Sequence, residues 1–291
     1  MGNIKPKITE DKIEKIQRLI RDNPEWHRTR ISKQLCELWD WRSPNGQLKD
    51  ISCRDMLRAL DESGKIILPM AKNRSRRAGN PDAITQIQHD TTPITASLRE
   101  LTPLRIDIVT SKESMSAFKS YIDQYHYLGF DWSIGENMKY IIYSRTGEPL
   151  TCLLFGSSAW ACLPRDEYIG WDKDCRQNNL YLTTNNTRFL IFPWVSVPHL
   201  ASHVLSLISR RIADDWLKKY GHAVYLLETY VERERFRGTC YRAANWRFVG
   251  CTTGRGRNSE HNYAVLPIKD VYLYPLAADF RAKLSGSAVI G

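Results

Sequence analysis

The chain of 291 residues is 42% hydrophobic and 25% charged, which suffices for the core of one large domain or two modest ones. No apolar run approaches the length of a membrane span, and the first residues lack the apolar segment of a secretory signal. We therefore expect a cytoplasmic protein without a membrane partner. The seven cysteines are scattered without a CxxC pair, which indicates neither a disulfide framework nor a zinc ribbon.

The net charge of +10 is concentrated in the N-terminal quarter of the chain. Residues 1–80 contain 18 Lys and Arg against 11 Asp and Glu, so this region carries +7 and the remainder +3. A basic region beside a nearly neutral one favours a polyanionic partner such as nucleic acid, while an ordinary solvated charged face is the alternative.

Three helical patterns follow one another in this basic region. The first begins at a cap on Thr9, the second begins near Thr29, and the third spans about residues 49–62. The predicted inward residues are Ile13, Ile16, Ile31, Leu35, Leu38, Trp39, Ile51, Met56, Leu57 and Leu60. A short strand at residues 65–69 comes next. Three short helices and a strand are typical of a winged helix-turn-helix, which we predict over residues 1–72.

In a winged helix the third helix enters the major groove of DNA. The predicted nucleic-acid contacts on its outward side are Lys49, Ser52, Arg54 and Arg58, although Asp50 and Asp55 on the same helix reduce the charge. Residues 73–100 are basic and polar without periodicity, which predicts a linker. Its Arg74, Arg76 and Arg77 extend the nucleic-acid surface, or else simply keep a tether soluble.

The second predicted domain covers residues 101–291. Its expected elements are a strand at 104–109, a helix at 111–125, a hairpin of strands at 138–143 and 150–155, a polar helical insertion at 168–186, a strand at 189–197, a helix from Pro198 to Gly221, a strand at 223–227, a short helix at 236–246, a strand at 246–249 and a strand pair around 264–274. The strand, helix and strand at 189–227 predict a parallel pair inside a mixed α/β sheet.

Candidate site residues gather around the expected end of the strand at 223–227, because ligand clefts form at the carboxyl ends of such strands. Glu228 is a candidate general base, Tyr241 a general acid, and Arg237 a charged partner. Alternatively, Glu228 and Arg237 form an ion pair that fixes the loop. Further cleft candidates are Tyr125, His126, Ser157, Asn185, Asn186, Thr239 and Asn245.

Two other groups of side chains have simpler interpretations. His199 and His203 have a chelating spacing on one helix, but Leu200 replaces the glutamate of an HExxH motif, so no metal site is predicted. The aromatic residues that we expect to pack in the core are Tyr125, Trp160, Trp171, Trp194 and Tyr230, and stacking on a flipped base is the alternative.

The predicted order of elements in the second domain resembles the GNAT fold of acyl-CoA-dependent N-acetyltransferases. That resemblance implies a glycine-rich turn whose amides hold the coenzyme A pyrophosphate at a helix N-terminus. The corresponding turn here, residues 196–202, has no glycine, while Pro198 removes an amide donor and Leu200 crowds the position. No cofactor is therefore predicted, and acetyl-CoA is not expected to bind in the usual manner.

At the level of the whole chain the sequence resembles the Druantia protein A family of anti-phage defence. The segments that carry the resemblance are NPEW, LCELWDWRSPNGQLKD, YHYLGF, FGSSAW, IGWD, NNTRFLIFPWV, VPHLASHVL, LLETYVE, RFRGTCYRAANW and KDVYLYPL. The resemblance implies a bacterial defence component that works with other proteins, including a helicase-like subunit. Related domains occur beside transposases. The resemblance supplies no catalytic residues.

Two hypotheses of function remain from the sequence. In the first, a winged helix binds nucleic acid, and a GNAT-like domain recognises nucleic acid or a partner subunit without catalysis. In the second, an enzyme of acyltransferase-like fold modifies a nucleobase or a protein amine, or the chain is a transposon-associated DNA-binding protein. The missing phosphate-binding glycines favour the first hypothesis.

Overall fold

The computed structural model describes residues 6, 8–70, 84–131, 135–254 and 266–285. The chain divides into two compact units, Met1–Pro81 and Asp82–Gly291, and each is presented by itself. The predicted contacts Arg74, Arg76 and Arg77 lie outside the described residues. None of the described helices is long and apolar enough to cross a lipid bilayer.

The smaller unit contains the three predicted helices, α1 (Glu10–Asp22), α2 (Arg28–Leu38) and α3 (Asp50–Glu62). Thr9 has extended backbone at the start of α1, and two acidic residues occupy the first turn, where the helix dipole favours them. The core of this unit joins the three helices through Ile16, Ile31 and Leu57, all with no exposed surface.

Two residues that we predicted to face this core lie outside it. Leu38 is 63% exposed and Ile51 is 58% exposed. In α2 the small side chains of Ser32 and Cys36 take core positions. The buried face of α2 is therefore centred on Ser32, Leu35 and Cys36, and Leu38 lies outside it. In α3 the buried stripe begins at Cys53, so Ile51 falls on the other side of the helix.

The predicted wing strand at residues 65–69 is not formed in the described part of the smaller unit. Instead, the segment is tied to helices: Gln17 Nε2 donates to Lys65 O at 2.8 Å, and Arg28 Nε donates to Pro69 O at 2.7 Å. An isolated bridge between Arg42 and Leu48 is the extended pairing found between α2 and α3. The unit is therefore a three-helix domain, and the winged-helix prediction is not confirmed.

The larger unit contains β1 (Ile94–Thr95), α4 (Leu98–Leu101), β2 (Arg105–Ile108), α5 (Lys112–Tyr125), β3 (Met138–Tyr143), β4 (Pro149–Ser157), α6 (Leu163–Ile169), α7 (Lys173–Asn179), a 3-10 turn (Leu180–Leu182), β5 (Thr183–Ile191), β6 (Val195–Ser196), α8 (Leu200–Tyr220), β7 (Leu226–Glu232), α9 (Thr239–Ala243), β8 (Arg247–Cys251), β9 (Lys269–Pro275) and α10 (Phe280–Ser285). The predicted α/β order is confirmed from β2 to β8, but two strands have other bounds. β5 begins at Thr183, inside the predicted helical insertion, and ends at Ile191 instead of 197, while β7 extends to Glu232 instead of 227. Of the predicted last strand pair the structure describes β9, and residues 255–265 lie outside the described residues.

Seven strands form one mixed sheet in the order β2-β3-β4-β5-β7-β9-β8. β5 and β7 are parallel, as predicted, and the other neighbours in this sheet are antiparallel. A second, two-stranded sheet joins β1 to β6 in parallel. Residues 94–101 belong to the larger unit.

Two hydrophobic clusters lie on opposite faces of the sheet. Leu227 belongs to the cluster that contains α5 and α8, whereas Leu226 belongs to the cluster that contains α6 and α10. Consecutive residues of a strand point to opposite faces, so each face of β7 is covered. The apolar stripe of α8 from Leu200 to Trp216 is buried as predicted, and Gly221 ends the helix in the left-handed conformation at φ 77°.

The fold predicts a sharp contrast between two leucines of α8. Leu205 is 1% exposed, whereas Leu217 is 50% exposed. Leu205→Ala should lower the free energy of unfolding by about 2–5 kcal/mol, because it leaves a cavity in the main core. Leu217→Ala should change it by less than about 0.5 kcal/mol. Chemical denaturation of both variants checks this, and equal stabilities would contradict the described packing of α8.

Candidate functional site

A cleft opens where the two parallel strands separate. β5 and β7 pair along three residues only, Thr183–Asn185 with Leu226–Glu228. Beyond this point β5 continues beside β4 to Ile191, while β7 continues beside β9 to Glu232. The space between them is a cleft of about 970 Å³. The size lies within the range of small-ligand sites.

The cleft has walls on both faces of the sheet, and two consecutive residues of β7 hold them. Glu228 bonds to the loop before α6, while Thr229 bonds to the residues that pack with α9. Adjacent strand residues point to opposite faces. Both walls line the cleft, so it is a gap through the sheet that is accessible to groups from either face.

On the first face, a buried charge network fixes the loop that precedes α6. Arg165 is fully buried, and its Nη1 donates to Glu228 Oε2 at 2.9 Å and to Ala159 O at 2.7 Å. Glu228 Oε1 accepts from the amide of Ala159 at 2.8 Å. Asp166 Oδ1 accepts from Arg165 Nε at 2.9 Å. The loop that carries Ala159 and lines the cleft is therefore anchored to β7.

This network corrects the predicted role of Glu228. The residue is the third of β7 and does not follow the strand, because β7 extends to Glu232. It is fully buried beneath the loop at Ala159, and its partner is Arg165. Arg237, the predicted partner, is exposed and does not line the cleft. The three candidates Glu228, Arg237 and Tyr241 thus do not share one polar cleft.

On the second face, Tyr241 lies at the bottom of the cleft. Its hydroxyl donates to Asn186 Oδ1 at 2.7 Å, and Thr229 Oγ1 donates to Asn186 O at 3.0 Å. Burial raises the pKa of the Tyr241 phenol well above its usual range. The group is therefore neutral at physiological pH, and it can act as an acid or accept a hydrogen bond.

The mouth of the cleft on this face is aromatic and cationic. The guanidinium of Arg235 lies 4.4 Å from the ring centre of Tyr127, and the rings of Tyr127 and Phe236 are 5.4 Å apart. Tyr127 is 38% exposed and Phe236 is 45% exposed. His126 stacks on Tyr127 with 4.9 Å between ring centres. These groups form an exposed surface that can stack on a planar ligand.

Of the cleft residues predicted from the sequence, the structure brings five together. Those that line the cleft are Tyr125, His126, Asn185, Asn186 and Tyr241. Asn185 Oδ1 is buried without a hydrogen-bond partner among the described residues. Those that do not line it are Ser157, at the exposed end of β4, Thr239, at the exposed start of α9, and Asn245, an exposed residue at φ 64°.

The aromatic residues behave largely as the core interpretation predicts. Trp171 is buried and its Nε1 donates to Leu284 O at 2.9 Å, while Trp194 stacks on Phe192 with 4.9 Å between ring centres. Trp160 is an exception because it is 54% exposed. From this group, Tyr125 and Tyr230 line the cleft.

Sequence reasoning missed Arg165 and the pair of Tyr127 with Arg235. Arg165 stands 63 residues from Glu228, and no local signal connects them. Tyr127 belongs to the aromatic run at 125–127, which did mark the position but not its partner. A ring beside an arginine is recognised as a stacking surface once the fold brings them together.

The turn before α8 does not contribute to the cleft. His199 precedes α8 in the left-handed conformation, at φ 65°, where the GNAT resemblance implies glycine. No residue of the turn 196–202 is among the described lining residues. Also within the described ranges, no group of three His, Cys, Asp or Glu side chains is placed to hold a metal ion.

The predicted contacts of the smaller unit lie on or beside α3. Lys49 precedes α3 and Ser52 is exposed on it. Arg54 Nη2 is 3.2 Å from Asp50 Oδ2, and Arg58 Nη1 is 3.4 Å from Asp55 Oδ1. The acidic residues thus neutralise both arginines within the free protein.

Comparison with known proteins identifies the family. The profile of a family described as Druantia protein DruA matches residues 66–266, which is more than half of the chain. The match begins after α3 and runs through both walls of the cleft. The protein is therefore a mixed α/β protein of the kind the sequence predicted, and it belongs to the Druantia protein DruA family. No curated protein shows significant sequence similarity to it.

The comparison with solved structures returns acetyltransferases, all at low scores. A mutant of the spermidine N-acetyltransferase SpeG from Vibrio cholerae is 6% identical with a TM-score of 0.39, and the match covers 61% of this chain and 95% of that one. A nourseothricin acetyltransferase is 10% identical with a TM-score of 0.35, covering 60% and 100%. A putative acyl-CoA N-acyltransferase from Klebsiella pneumoniae is 14% identical with a TM-score of 0.35, covering 60% and 99%. These low scores give no information on substrate or reaction.

The cleft predicts a pH dependence of stability through His126. Burial, together with the charge of Arg188, lowers the pKa of His126 to about 4, against about 6.5 in the unfolded chain. Between these values the unfolded state binds more protons, so stability should fall as the pH drops from about 6.5 to 4. His126→Gln should reduce that fall, and above pH 7 its free energy of unfolding should change with pH as in the wild type. An NMR titration of His126 with a midpoint near 6.5 would contradict this account.

Proposed function

We propose that the protein is a nucleic-acid-binding component of a Druantia anti-phage defence system. Family membership supports the defence role, and the cleft supports nucleic acid as the ligand. The observation that carries the proposal is the pair of cations at the cleft, Arg235 and Lys269, because neither has a carboxylate partner among the described residues. Unpaired cations beside exposed rings suit a ligand with phosphates and planar bases.

The three-helix domain supplies a second proposed contact, through Lys49, Ser52, Arg54 and Arg58. The pairs of Arg54 with Asp50 and of Arg58 with Asp55 are exposed or half-buried. Exposed pairs of this kind contribute about 0.2–1 kcal/mol, so a phosphate can replace the carboxylate at little cost. Other defence proteins, including a helicase-like subunit, are the proposed protein partners.

Two substitutions on α3 test this contact with opposite expected signs. Arg58→Glu should weaken binding to a short DNA duplex and lower the slope of log K against log salt by about 1, since one phosphate contact is lost. Asp55→Asn should strengthen binding, because it removes the charge that competes for Arg58. Both side chains are more than half exposed, so neither change should unfold the domain.

Fluorescence anisotropy at several salt concentrations measures both variants beside the wild type. If the substitutions merely destabilised the domain, both variants would bind more weakly, and their melting temperatures would be lower than that of the wild type. Equal affinities and slopes for the three proteins would contradict a nucleic-acid contact at α3.

A second candidate function is an acyltransferase-type enzyme that modifies a nucleobase or a protein amine. The order of elements in the larger unit favours it, together with the neutral Tyr241 phenol at the bottom of a cleft between parallel strands. A transposon-associated DNA-binding role would share the nucleic-acid contacts of the first proposal. The turn without glycine before α8 is the argument against acetyl-CoA.

Thermal shift with acetyl-CoA separates the two candidates. We expect no change in melting temperature, because the turn at residues 196–202 offers no open phosphate cradle. A ligand at 100 times its dissociation constant would stabilise the folded state by about 2.7 kcal/mol, which is several degrees in a domain of this size. A rise of that order with acetyl-CoA, absent with free acetate, would favour the enzyme.

A further inference from the structure

The side chains that line the cleft have an unusual combination of aromatic rings and cations. The rings are those of Tyr125, Tyr127, Phe189, Tyr230, Phe236 and Tyr241. The cations are Arg188, Arg235 and Lys269, and among the described lining residues Glu232 is the one acid. A ligand that matches this lining has a planar apolar part and at least one negative charge. A nucleotide has both.

The position of the rings and cations indicates how a nucleotide would lie. Tyr127, Phe236 and Arg235 are exposed at the mouth, where the guanidinium lies 4.4 Å from the centre of the Tyr127 ring and 5.9 Å from that of Phe236. A base that has left its helix can stack on such rings and on a guanidinium plane. A base that remains paired offers no free face, because its neighbours in the stack cover it.

Two neighbouring asparagines of β5 line opposite walls of the cleft. Asn185 Oδ1 is buried without a hydrogen bond among the described residues, and leaving such an atom unpaired costs about 1–3 kcal/mol. Asn186, by contrast, is engaged with Tyr241 and with the carbonyls of Leu154 and Arg188. Asn185 pairs with Glu228, so its side chain points to the first face, whereas Asn186 points to the face of the aromatic mouth.

We infer that the cleft between β5 and β7 receives a single unpaired nucleotide, with its base at the mouth formed by Tyr127, Phe236 and Arg235. This inference rests on the proposed function, since it names the form of nucleic acid that the larger unit takes. Phosphates of the same strand lie at Arg235 and Lys269. A volume of about 970 Å³ admits one nucleotide and excludes a base pair with its stacked neighbours.

The test compares two labelled DNA duplexes that differ by one unpaired base, with the full-length protein. Wild type should bind the duplex with the unpaired base about fivefold or more tightly, which is what stacking of one base contributes. Tyr127→Ala should remove this preference and keep the affinity for the paired duplex. Tyr127→Phe should retain the preference, because the ring remains.

The matched control is Phe248→Ala. Phe248 is 51% exposed on the edge strand β8 and does not line the cleft, so its removal should leave both affinities unchanged. Equal binding of the two duplexes by wild type, or an unchanged preference in Tyr127→Ala, would overturn the inference while the proposed function stands. Absence of binding to both duplexes would instead contradict the proposed function.

Competition identifies the source of the nucleotide. A short single strand should displace the labelled probe, and free dAMP at the same nucleotide concentration should not, because the strand adds phosphate contacts at Arg235 and Lys269. Displacement by dAMP as effective as by the strand would make a free nucleotide the ligand. Displacement by coenzyme A alone would overturn the inference in favour of an acyl-CoA site.

Discussion

The early separation of β5 from β7 is the constraint on which the larger unit depends. Two parallel strands that stop pairing after Asn185 and Glu228 leave backbone groups and a gap in the middle of a sheet. Arg165, which is fully buried, forms an ion pair with Glu228 at the point where the β5–β7 ladder ends. Removing one member of a buried pair leaves an uncompensated charge, which typically costs about 3–5 kcal/mol. The loop at Ala159 is thus anchored to β7 beside the gap by an interaction that the fold cannot easily lose.

The same short stretch of β7 organises both sides of the gap. Glu228 holds the loop at Ala159 on one face, and Thr229 holds Asn186 and Tyr241 on the other. One strand therefore sets the spacing of both walls, because its residues alternate between faces. Aromatic groups at the mouth do not take part in either network. They are exposed to solvent, whereas the networks beneath them are buried.

The sequence was sufficient for the elements but not for their long-range partners. The apolar stripe from Leu200 to Trp216 has a period that only a helix satisfies, and it is buried as predicted. Glu228 was predicted to follow the strand because residues 228–232 are compatible with either a strand or a loop, so the end of β7 could not be located from them. Its partner Arg165 could not be predicted because it is far away in the chain. The strand expected at residues 65–69 has a suitable apolar pattern, but a strand needs a partner, and helices take that position.

The family profile matches only part of the chain, and that part contains the cleft. The match at 66–266 leaves out all three helices of the smaller unit and includes β5, β7, the loop anchored by Arg165 and the aromatic mouth. The three helices thus lie outside the part of the chain that the family profile matches. The cleft belongs to the matched part. Since the buried networks fix its walls and leave its mouth free, the shared role of these proteins is better sought in what enters the cleft than in the helices that precede it.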